Sequence, residues 1–129
     1  MADGWTYDDA LVLSAAAMIP RLHLHEAVSV IDAMGHTVLG DDQFDAAVGR
    51  LVGSGLLVVD PGPVLGLTDE GREIVGRRRP GLIDQVFSVQ ELLGDVPLTP
   101  TRWTSPVGAY ERAVDRHLRP WRFWRRLGR

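Results

Sequence analysis

Two four-residue apolar runs, Leu56-Leu57-Val58-Val59 and Val64-Leu65-Gly66-Leu67, stand on either side of Asp60-Pro61-Gly62-Pro63. Turn chemistry of that density between two short apolar runs specifies an antiparallel hairpin, because Pro and Gly exclude both helix and continuous strand from 60–63. The other apolar patterns in the chain have helical spacing. An isolated hairpin is marginal in water, so these helices must supply the surface that buries it.

Three helical patterns precede the hairpin. Thr6 followed by Asp9 has capping-box spacing, and Ala10, Leu11, Leu13, Ala17 and Met18 continue to Pro20, which predicts a helix over about 7–19. Leu24, Ala27, Val28, Ile31 and Met34 recur at three- and four-residue intervals from about His23, and Gly35 supplies a stop. Asp41 is placed to cap a third helix with one apolar stripe, Phe44, Ala47, Val48, Leu51 and Val52, closed by Gly55. After the hairpin, Thr68 caps a fourth helix with Asp69 and Glu70 in its first turn, and Arg77, Arg78 and Arg79 suit its negative end. Pro80 opens a fifth pattern through Leu82, Ile83, Val86, Phe87, Leu92 and Leu93 to Gly94. A connector over 95–104 leads to Ser105-Pro106, the start signal of a sixth helix over about 107–118, which Pro120 is expected to break.

With 129 residues, 45% hydrophobic and 24% charged, the chain has the size and composition of one globular domain. The expected class is mainly α with a small β-hairpin, residues 1–79 forming the core and 80–129 a helical extension within one compact unit. The lack of Cys excludes disulfides, thiolate metal sites and cysteine nucleophiles. The apolar stretch 10–19 is about half of a membrane crossing, so no integral membrane segment is expected. The acidic N-terminus lacks the features of a secretory signal, and a cytoplasmic protein is expected.

Three helices, a hairpin and a following helix, joined through GLLVVDPGPVLGLTDEGREIV, resemble a winged helix-turn-helix domain over about residues 6–78. Gly55-Leu56-Leu57 at the first wing strand and Leu67-Thr68-Asp69-Glu70-Gly71 after the second carry the likeness. The stretch Asp32-Ala33-Met34-Gly35-His36, followed by Phe44 and Arg50-Leu51-Val52, is similar to small actinobacterial winged-helix proteins of unassigned role. The resemblance implies a winged-helix core with two or three further C-terminal helices. It also implies recognition of either nucleic acid or protein, because the fold serves both.

A DNA-reading winged helix presents Arg, Lys, Asn or Gln from its third helix to base edges. Here, at 100° per residue with Phe44 to Val52 inward, the outward side carries Asp42, Ala46, Gly49 and Gly53, flanked by Gln43, Asp45 and Arg50. Only Gln43 and Arg50 are suited to bases, while Asp41, Asp42 and Asp45 would repel phosphates. Duplex DNA is therefore the alternative, served by Gln43, Arg50, Arg72, Arg77, Arg78 and Arg79 if these form one basic cleft. The small residues Ala46, Gly49 and Gly53 instead invite close approach of another backbone, since two interior glycines cost about 1 kcal/mol each relative to Ala. The favoured reading is a non-enzymatic regulatory or adaptor protein that uses Asp42, Ala46, Gly49 and Gly53 to meet a protein partner or a second copy.

Charge divides the chain: residues 1–70 hold eleven acids against two arginines, whereas 71–129 hold twelve arginines against six acids. The tail Trp121-Arg122-Phe123-Trp124-Arg125-Arg126 interleaves aromatics with cations, a composition suited to an acidic protein groove, RNA or an anionic membrane. A protein acceptor is expected, either this chain's own acidic half, a twin subunit or another protein. No catalytic residue, metal site or cofactor is expected. His23, His25 and Glu26 diverge around a helix start, Ser14, Ser29 and Ser54 lack a nucleophile elbow, and no glycine-rich phosphate loop is present.

Overall fold

A computed structural model describes residues 4–127, apart from the side chains of residues 82, 83 and 121–127. The elements run α1 (Tyr7–Met18), β1 (Leu22–His23), α2 (Leu24–Gly35), α3 (Asp41–Gly53), β2 (Leu57–Asp60), β3 (Val64–Leu67), α4 (Asp69–Gly76), α5 (Leu82–Leu93) and α6 (Ala109–Leu127). The chain is mainly helical, with a three-stranded antiparallel sheet in the order β1-β3-β2.

The expected hairpin forms with Leu57 opposite Leu67 and Asp60 opposite Val64. On the other edge of β3, Leu22 pairs with Leu65 and His23 with Val64, a strand that the apolar periodicity does not announce. Two residues carry no period of their own. Pairing there satisfies backbone groups that β3 would otherwise leave exposed.

At the centre lies α1, buried along its whole stretch from Asp9 to Ala16. The anticipated capping box is present: Thr6 Oγ1 accepts from the Asp9 N–H at 3.4 Å, and Asp9 Oδ2 accepts from the Thr6 N–H at 2.7 Å. It also carries the Asp9 carboxylate into the interior, where no part of the residue is exposed. Around α1 pack α2, α3, α4, α5 and β3. Leu11, Leu13, Ile31, Phe44, Leu51 and Leu65 share one buried cluster, and Tyr7 meets Phe87 of α5 with ring centroids 5.3 Å apart.

Several termini differ from the expected ones. Gly35 ends α2 but the left-handed residue is His36 (φ 52°), whose N–H donates to the Asp32 carbonyl at 2.8 Å. Gly35 serves packing instead, since a Cβ there would press on the Leu11 side chain. The cap of α3 is Gly40 rather than Asp41, because Gln43 Oε1 reaches back to the Gly40 N–H at 2.8 Å. Thr68 caps α4 as expected, its Oγ1 accepting from the Gly71 N–H at 3.0 Å. Ser105 does not start the sixth helix: its hydroxyl donates to Asp45 Oδ1 at 2.8 Å, and the helix begins at Ala109 after Gly108 (φ 74°). Pro120 lies inside α6 instead of ending it. It withholds one N–H from the carbonyl a turn earlier, but the residue is exposed, so water can satisfy that carbonyl without breaking the helix.

Candidate functional site

The inward stripe of α3 is as expected, with Phe44, Ala47, Val48 and Leu51 fully buried. On the outward side Asp41, Asp42, Gln43 and Ala46 are exposed, yet Gly49 is buried and Gly53 half-buried. The cover is the chain's own connector after α5. Thr101 N–H donates to the Gly49 carbonyl at 3.0 Å, and Thr99 N–H donates to Ser54 Oγ at 2.8 Å. A Cβ at Gly49 would overlap the Thr101 carbonyl oxygen, and one at Gly53 the Thr99 carbonyl oxygen. Trp103 then meets Phe44 edge-on, centroids 6.2 Å apart. The close backbone approach that the glycines invite therefore occurs, but its occupant is internal. Gly49 and Gly53 are thereby corrected from partner-facing to connector-facing positions, because helical periodicity defines a face and not what lies upon it.

The two residues suited to base reading are similarly engaged. Arg50 Nε donates to Asp9 Oδ1 at 2.7 Å, with the Asp9 side chain fully buried and that of Arg50 24% exposed. A carboxylate brought inside by the α1 cap needs a partner, and Arg50 is the cation one α3 turn can deliver. Gln43 Oε1 is occupied in accepting from the Gly40 N–H at the start of α3.

The remaining arginines of the expected basic cleft follow a separate course. Arg72 pairs with Asp69 at 2.8 Å, Arg77 with Glu73 at 2.6 Å and Arg79 with Glu91 at 3.0 Å. Arg78 donates to Gln85 Oε1 at 3.1 Å and to the Val75 carbonyl at 2.6 Å. The hydrogen bond and charge of Arg79 hold the Glu91 carboxyl below its ordinary range, and Glu91 raises Arg79 in turn. Arg72 and Arg78 line a groove with Ala16, Ala17 and Pro20, Arg78 and Arg79 line another beside Pro80 and Gly81, and Arg50, turned toward Asp9, lines neither.

Contacts between α2 and α6 bring His117 to Ser29 and Asp32, which lie three positions apart on one face of α2. His117 Nε2 is 2.8 Å from Asp32 Oδ2, and His117 Nδ1 is 3.0 Å from Ser29 Oγ. With the Nε2 proton given to Asp32, Nδ1 accepts, and the Ser29 hydroxyl is shared between it and the His25 carbonyl at 3.3 Å. This is the hydrogen-bond order of a Ser-His-Asp relay. Ser29, however, lies in the middle of α2, where neighbouring backbone N–H groups are spent within the helix and cannot hold an oxyanion. The trio acts as a polar clamp between the helices.

Two faces of α6 differ in charge. One, with Arg112 and Arg116, looks onto a cleft at the start of α2 and the hairpin turn. The other, with Glu111 and Asp115, borders Asp41 of α3. Between them Tyr110 is buried, stacks on Phe44 at 4.7 Å and donates its hydroxyl to the Leu39 carbonyl at 2.8 Å. Burial, then the charges of Asp45 and Asp41, pushes its phenol up to about 12.

The side chains of Trp121, Arg122, Phe123, Trp124, Arg125 and Arg126 lie outside the described residues, although the α6 backbone extends to Leu127. Among the described residues, no group of three or more His, Asp or Glu is placed to hold a metal ion. No helix there is long and apolar enough to cross a membrane. No family model, curated protein or solved structure matches the chain.

Proposed function

We propose that this chain is a small winged-helix regulatory or adaptor protein, without catalytic activity, that works through protein contacts. The order helix, short strand, two helices, hairpin and helix, with β3 central in the sheet, supports a winged-helix core. Helices α5 and α6 are its extension.

The observation that carries the reading is the connector lying across Gly49 and Gly53, on the face with which a third helix would enter a major groove. What remains exposed of that face, Asp41, Asp42, Gln43 and Ala46, bears two carboxylates and no cation. Such a surface repels a phosphate backbone and suits a partner with basic side chains. A DNA-binding regulator has less support, because Arg50 and Gln43 are engaged within the chain. The test is a photo-crosslinking amino acid at Ala46, introduced in the native host. It is expected to capture a polypeptide, and capture of duplex DNA of one recurring sequence would overturn the reading.

A further inference from the structure

We propose that the cleft between the start of α2, the hairpin turn and α6 binds a phosphoryl dianion, as free phosphate or as a small phosphate ester. Three distant stretches of chain meet there: His23 and His25, the Gly62-Pro63 turn, and Arg112 with Arg116 one helical turn further on. The space is about 260 Å³, close to the lower end for small-molecule sites. Its lining joins the apolar Leu24, Ala109 and Ala113 to the cationic Arg112 and Arg116.

The two arginines of the cleft lack the carboxylate partner that several others in the chain have. Arg72, Arg77, Arg79 and Arg119 each pair with a carboxylate. Among the described residues neither Arg112 nor Arg116 does, and the two are like charges at i, i+4, an arrangement that is repulsive unless an anion lies between them. Of the acids in the vicinity, Asp60 at the hairpin turn is exposed, and those of α2 and α6 have other neighbours. Glu26 accepts from the His23 N–H at 3.1 Å, while Glu111 and Asp115 border the separate cleft beside Asp41. The positive end of the α2 dipole adds to the same potential.

The donor set points to phosphate rather than to a single carboxylate. One guanidinium satisfies a carboxylate in bidentate fashion, whereas a phosphoryl dianion has three terminal oxygens and can take two guanidinium groups and an imidazole N–H together. On the hairpin side a nucleic-acid backbone would meet no further cation, since the turn Asp60-Pro61-Gly62-Pro63 offers only an exposed carboxylate.

Titration of inorganic phosphate and of phenyl phosphate into the full chain, at constant chloride and followed by NMR, tests the assignment. Saturable shifts are expected at the His23 and His25 imidazoles and at the Arg112 and Arg116 side chains. Tighter binding of phenyl phosphate identifies an ester site, and equal affinity identifies a free-phosphate site. Arg112→Gln and Arg116→Gln should each weaken binding at least about tenfold, the loss expected for one charge-assisted pair. Arg119→Gln, one turn beyond and already paired, should leave it unchanged. Melting temperatures without ligand check that the variants fold. Absence of saturation, an equal loss in the Arg119→Gln control, or preferential binding of a duplex or single-stranded oligonucleotide that Arg112→Gln abolishes would overturn the proposal.

Discussion

Gly53→Ala sets two physical effects of opposite sign against each other. Exchanging Gly for Ala inside a helix is worth about 1 kcal/mol in favour of the folded state. At Gly53, however, the new methyl group would lie 2.6 Å from the Thr101 nitrogen and 2.9 Å from the Pro100 carbonyl carbon, besides overlapping the Thr99 carbonyl oxygen. All three are backbone atoms, so no rotamer change relieves them. To reach ordinary contact distances of about 3.5 Å the connector must lift by roughly 1.5 Å at the Thr99 carbonyl. Lifting it strains the Thr101–Gly49 and Thr99–Ser54 hydrogen bonds, each worth about 1 kcal/mol, and loosens Trp103 from Phe44. The sum exceeds the propensity gain, and a net destabilisation of about 1–2 kcal/mol is expected. A domain of this size unfolds cooperatively, so urea midpoints at unchanged slope report the difference. Gly76→Ala, in a helix with nothing within 4 Å of the added atom, is the control and should be neutral or stabilising. If Gly53→Ala is stabilised like its control, the connector does not rest on α3, and the support for a covered reading face is lost.

Arg50→Met leaves the buried Asp9 carboxylate with only the Thr6 N–H, and the cost should be about 3 kcal/mol in urea unfolding; adding Asp9→Asn should recover part of it, and independent, additive effects would refute the pairing. Tyr110 has a folded-state value of about 12 against an ordinary 10.0, so the folded protein holds the phenolic proton more tightly than the unfolded chain does. Stability is intact below about pH 10 and declines as pH rises toward 12, and Tyr110→Phe should flatten that decline even though it loses the Leu39 hydrogen bond. His117→Ala removes the link from α6 to Ser29 and Asp32 of α2 and should cost about 1–2 kcal/mol. Hydrogen exchange should then quicken in residues 109–118 and leave α1 unaffected; uniform quickening would argue against a local clamp.

What was legible from residues alone is what local chemistry controls. Turn residues at 60–63 announce the hairpin, the Thr6 and Thr68 hydroxyls mark two helix starts, and the Phe44 stripe identifies the inward face of α3. Each of these depends on neighbours within about four positions, the range of capping and helical periodicity. Tertiary structure alone decided the rest. Ser105 has good capping chemistry but gives its hydroxyl to Asp45, sixty positions away. Leu22 and His23 become a strand only because β3 has an edge to offer. Arg50 could be assigned to the α3 surface by angle, yet its partner depends on a carboxylate that a different helix buries. Gly49 and Gly53 show the division most plainly: their missing side chains permit an intimate backbone contact, and only the folded chain brings residues 99–101 to make it. Sequence specifies such permissions locally, whereas occupancy follows from long-range contacts whose partners no fixed spacing reveals.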